Sequence, residues 1–175
     1  MLEALRHTPN WVYLVFFLVL HYGVMQCFSA RIKPRRLLTM PLIFLGWSAY
    51  ATFAAAQAPW ISLSVWGGSV CGASLIGLWL GRRAGASFHA DDGVLDIPGS
   101  KTPLVISLLF FGCSYWFGYT AATAPDVAAD LGFQLTRTLA TASCIGLFVG
   151  RAAYLYALSL GGRWTGPRVD PLRLV

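Results

Sequence analysis

Acidic residues are scarce in this chain, and where they are missing narrows the reading first. Seven occur in 175 residues, at Glu3, Asp91, Asp92, Asp96, Asp126, Asp130 and Asp170, and charged residues of both signs make up only 11% of the sequence. Water-soluble domains carry about a quarter charged residues, which keep their surfaces hydrated. A chain that is 57% hydrophobic with so little charge belongs instead in a lipid bilayer. The signatures GxSxG and HExxH, a Walker loop and paired carboxylates within an apolar run are all missing, which argues for a non-catalytic protein. Without a carboxylate in those runs, a proton-coupled pump is also disfavoured. No CxxC occurs, and Cys27, Cys71, Cys113 and Cys144 each fall within or at the end of a different apolar run. A thiol there behaves as a small hydrophobe, so packing is expected rather than redox chemistry or metal binding.

What the chain has instead is long apolar runs. Residues 11–28, 37–56, 60–80 and 103–123 contain no Lys, Arg, Asp or Glu, and residues 133–160 are equally apolar apart from Arg137 and Arg151. Each approaches or exceeds the ~17 to 25 residues that cross a ~30 Å hydrocarbon core. The expected fold is an all-α polytopic membrane protein of five transmembrane helices, one membrane domain over residues 1–175. The first run reads as a retained helix, because Arg6 before it is offset by Glu3 and "VMQC" lacks the small residues of a lipobox.

Basic residues set the orientation. If the five runs span, one side holds Arg31, Lys33, Arg35, Arg36, Arg82, Arg83, Lys101, Arg163, Arg168 and Arg173, and the other holds Arg6. Cytoplasmic loops are the ones enriched in Lys and Arg, so the N-terminus is expected outside the cytoplasm and the C-terminus inside. The cluster "RIKPRR" then lies beside anionic headgroups, and the net charge of +6 calls for lipid rather than nucleic acid as partner.

Between the third and fourth runs lies "RRAGASFHADDGVLDIPGSKTP". Asp-Gly between two short, partly alternating segments predicts a cytoplasmic β-hairpin over about 86–98, in electrostatic contact with the basic 31–36 loop. His89, Asp91, Asp92 and Asp96 lack the spacing of a calcium loop and read as a solvated turn, with no metal. In the third run, Ser64, Gly68 and Gly72 form one small-residue ridge, and Ser69, Ala73, Gly77 and Gly81 form another. Small residues let helix backbones approach in lipid, so this run is expected at the centre of the bundle, with a homo-oligomer or a membrane-protein partner open as a further use of the ridges.

Candidate ligand-binding residues come from the fifth run. Gln134, Arg137, Thr141, Cys144, Phe148 and Arg151 recur at i, i+3 and i+4, which places Arg137, Gln134, Thr141 and Arg151 on one stripe. An intramembrane Arg among polar neighbours can hold an anion, and Asp130 before it supplies a local partner. The bland alternative is that both arginines snorkel to opposite headgroups. His21 is the single histidine inside a run and has no second histidine to share a haem, so no cofactor is expected.

The succession "HTPNWVYLVFFLVLHYGVMQ", "RRLLTMPLIFLGWSAY" and "DGVLDIPGSKTPLVISLLFF", closing on "GLFVGRA", resembles a family of small proteobacterial integral membrane proteins of unknown function. A weaker likeness, in the hairpin preceding a helix, is to membrane proteins of the CcdC type. The chain lacks their haem chemistry, having no histidine pair and no CxxCH. The resemblance implies a bacterial inner membrane and supplies no catalytic residues. The function expected is a non-catalytic subunit, helper or partner-binding protein, the alternative being a small channel or transporter for an anionic or polar solute along the Arg137 stripe.

Overall fold

The structure, a computed structural model, describes residues 10–55, 57–89 and 93–160. In chain order the elements are α1 (Asn10–Met25), β1 (Ala30–Ile32), α2 (Pro34–Ala55), α3 (Pro59–Arg83), β2 (Ser87–His89), β3 (Val94–Ile97), α4 (Thr102–Thr123), the single turn α5 (Pro125–Ala129) and α6 (Leu131–Leu160). Four helices are long and apolar enough to cross a membrane: α2, α3, α4 and α6. The first of the five expected spans is a helix of 16 residues, roughly 24 Å, shorter than a hydrocarbon core.

Helix starts follow proline. Pro34 opens α2, and Pro lies in the first turn of α3 and α4, where its missing N–H has no intrahelical acceptor to lose. Pro41 lies inside α2. The helix begins three residues earlier than expected because Pro34 is itself a good first position.

Two helix pairs run antiparallel, α1 with α4 and α2 with α3. Phe16 of α1 meets Phe111 of α4 at 5.2 Å between centroids, Gly23 abuts Leu104, and Ser100 N–H donates to the Gln26 carbonyl at 3.2 Å. In the α2–α3 hairpin, Trp66 Nε1 donates to Ser48 Oγ at 3.1 Å, and Phe53 packs on Trp60 near the turn. The helix expected at the centre was the third, but α6 holds that place. It packs most extensively on α3 and also on α2 and α4, whereas α1 packs chiefly on α4. The sequence signal for α3 was real, since its small residues do receive a neighbour; α6 brings small residues of its own and a length of 30 residues that reaches more partners.

The expected hairpin gains a third strand. β3 pairs antiparallel with β2 on one side and with β1 on the other, so the sheet order is β1-β3-β2. A two-stranded hairpin is marginal by itself, and the loop after α1 supplies a further ladder. Side chains alternate across the sheet. Leu95 is wholly buried, with its cross-strand partners Ile32 and Phe88 half-buried. On the opposite face stand Arg31, Asp96 and Ser87. Gly93 takes φ +61° at the turn, a left-handed conformation natural to glycine; Asp91 and Asp92 lie outside the described residues.

Candidate functional site

The most extensive contact between two elements among the described residues is a close seam between α3 and α6. A Cβ added at Gly77 would collide with the Leu147 carbonyl and lie 3.0 Å from the Arg151 nitrogen; at Gly81 it would press on the Tyr154 ring. From the other side, a Cβ at Gly146 would lie 2.6 Å from the Val70 carbonyl, and one at Gly150 would run into the Ser74 backbone. Ser74 Oγ donates across the seam to the Gly146 carbonyl at 3.1 Å. The contacts advance together, from Val70 with Gly146 to Gly81 with Tyr154, so α3 and α6 run parallel. Their C-terminal ends therefore emerge on the same side of the bundle as the sheet.

The two ridges of α3 thus have different fates. Ala73, Gly77 and Gly81 are buried at the seam, whereas Gly68 and Gly72 are exposed with nothing within 4 Å of an added Cβ. Missing from the sequence reading was the partner motif "GLFVG" over 146–150, whose four-residue glycine spacing is the same signal that singled out α3.

The stripe along α6 divides. Cys144 and Arg151 are buried, Gln134, Thr141 and Phe148 half-buried, and Arg137 exposed. Gln134 Nε2 reaches back to the Ala128 and Ala129 carbonyls at 3.4 and 3.5 Å, and Thr141 Oγ1 donates to the Arg137 carbonyl at 2.9 Å. Asp130 does not partner Arg137. Its Oδ2 accepts from the Phe133 N–H at 3.1 Å, and its extended backbone (φ −68°, ψ 134°) immediately before Leu131 is that of a helix N-cap. The Ala129 carbonyl also accepts from Gln57 Nε2 at 3.2 Å, which ties the α2–α3 turn to the α4–α6 connection at the end opposite the sheet. His21 is exposed and stands edge-on to Tyr22 at 5.8 Å. The structure does not bring His21, Arg137 and Arg151 into one pocket.

A shallow depression of about 400 Å³ lies on the sheet, lined by Ser29, Arg31, Ser87, Asp96 and Pro98 among others. Its charged wall is an ion pair: Arg31 Nε stands 3.0 Å from Asp96 Oδ1, and His89 Nδ1 is 3.6 Å from Asp96 Oδ2. This is the electrostatic contact between basic loop and hairpin that the sequence predicts. Among the described residues no group of three or more His, Cys, Asp or Glu is arranged to hold a metal ion.

The class so defined is a helical protein with four membrane-length apolar helices, a close-packed α3–α6 pair and a small sheet at one end. The sequence matches a family of unknown function (DUF6622) over residues 1–162, and the chain belongs to that family. No curated protein and no solved structure matches the chain.

Proposed function

We propose that this is a five-span protein of a bacterial inner membrane, with its N-terminus outside the cytoplasm and the sheet and C-terminus inside. It acts as a non-catalytic helper that presents the sheet to a partner protein. The observation that carries this reading is how the polar groups of the helices are used. Ser64, Ser69, Thr120, Thr123, Thr136, Thr141 and Ser143 each donate to the carbonyl four residues back in their own helix. Hydroxyls satisfied in this way need no water-filled path, and the α3–α6 seam closes backbone against backbone where a path would run. Supporting the orientation, the sheet gathers Arg31 and Lys33 at the end where α3 delivers Arg82 and Arg83, as positive-inside topology requires.

Reporter fusions at Ala58 and Asp126 are expected to read extracytoplasmic, and fusions at Gly93 and the C-terminus cytoplasmic. A cytoplasmic signal at Ala58 overturns the five-span scheme. For the helper role, a photo-crosslinking residue at Ser87, on the outer face of the sheet, is expected to yield one discrete adduct in cells. Purified protein in liposomes is expected to pass chloride and phosphate no faster than empty vesicles. Flux that Arg137→Lys abolishes would establish the transport alternative instead.

A further inference from the structure

Arg151 is the one buried charged side chain among the described residues, at 9% exposure. Its Nε is fully enclosed with no hydrogen-bond partner, and neither ion pair among the described residues includes it. None of the five apolar runs contains an Asp or Glu, so no membrane-length helix packed against α6 brings a carboxylate to neutralise it. Asp96, the described acid at the sheet end, is engaged by Arg31. A guanidinium stays protonated, and a buried charge needs a counter-charge or a full set of acceptors.

The seam fixes how deep this charge sits. Arg151 lies level with Gly77, and because α3 and α6 run parallel, the helix-end residues Arg82 and Arg83 lie five and six residues beyond that level, roughly 7 to 9 Å along the axis. A headgroup phosphate drawn inward by about that distance reaches the level of Arg151. Arg137, on the same helix, is exposed and has no such enclosure.

We infer that Arg151 is the anchor of a binding site for a phosphate-type oxyanion, reached from the sheet end of the bundle. The guanidinium fork matches two phosphate oxygens in a bidentate, charge-assisted pair. The oxyanion is either the headgroup of an anionic phospholipid or a free anion. This inference rests on the membrane embedding proposed above, but not on which end is cytoplasmic or on the helper role.

The test uses the full chain purified in dodecyl maltoside, with its unfolding temperature read at constant ionic strength. Phosphatidylglycerol at saturation is expected to raise that temperature by about 5 °C, and phosphatidylcholine far less. Arg151→Met is expected to lose the rise and Arg137→Met to keep it. If inorganic phosphate alone reproduces the rise in the parent and fails in Arg151→Met, the ligand is a free anion; if only the lipid acts, it is the headgroup. The inference is overturned if neither probe moves the parent, or if Arg151→Met responds in full. Should Arg151→Met not fold, Arg151→Gln, which keeps hydrogen-bond donors without the charge, replaces it, and a full response there overturns the site equally.

Discussion

Arg31 and Asp96, 65 residues apart in the chain, face each other across β1 and β3 with Nε 3.0 Å from Oδ1. Their contact joins the basic loop after α1 to the hairpin before α4, so two connections distant in the chain fold into one sheet. Yet the Arg31 side chain is 71% exposed and that of Asp96 32%, and an ion pair so open to solvent contributes little.

That contrast makes the first prediction. Asp96→Asn is expected to cost less than about 1 kcal/mol, whereas Leu95→Ala, at a site with 0% exposure, is expected to cost about 2 to 5 kcal/mol if the cavity does not collapse. Unfolding temperatures of the two variants in one detergent, or exchange protection of the β3 amides, decide between them. Equal losses would mean that charge rather than burial holds the sheet to the bundle.

The glycine seam makes a second. Gly77→Leu and Gly150→Leu drive a side chain into opposing backbone and should destabilise by about 1 to 3 kcal/mol or more, seen as a lower melting temperature or loss of folded protein. Gly72→Leu, on the open ridge of the same helix, should stay within about 0.5 kcal/mol of the parent. A severe effect at Gly72 would show that this face also has a neighbour.

Asp130 makes a third, because it caps α6. Asp130→Ala is expected to lose about 1 kcal/mol and Asp130→Asn much less, since an amide oxygen also accepts from the Phe133 N–H. The two melting temperatures should separate accordingly. If the acidic charge mattered through Arg137 instead, Asn would be as damaging as Ala.

For Arg137 the expectation follows from its exposure. Arg137→Lys and Arg137→Leu should both leave the unfolding temperature close to that of the parent, because no described ion pair includes Arg137 and an exposed arginine near a helix end reaches headgroups as lysine does. A marked loss in Arg137→Leu alone would restore a structural role to this residue.

Much of the architecture was legible in local signals. Apolar runs, three of them free of charge and the fourth broken only by Arg137 and Arg151, marked the four membrane-length helices to within a few residues; the small residues of α3 marked a packing face, and Asp-Gly marked the hairpin turn. β1 was not legible, because three residues, "ARI", carry no period and become a strand only where β3 offers an open edge. The role of Asp130 was misassigned for a related reason: two turns to Arg137 suit an ion pair and one turn to Phe133 suits a cap, and backbone geometry chooses between them.

What the linear chain determines by itself is polarity: hydropathy marks four helices long and apolar enough to cross a membrane, since it depends on summed transfer free energies and not on contacts. Which helix is central, which of two glycine ridges is covered, and that Arg151 rather than Arg137 is enclosed came only with the packing of distant segments. Helices in lipid associate through close shape matching rather than hydrophobic pressure. A residue's environment then depends on the small residues of its neighbour, Gly77 against Gly150 and Arg151 behind them, and that pairing is not written in either helix alone.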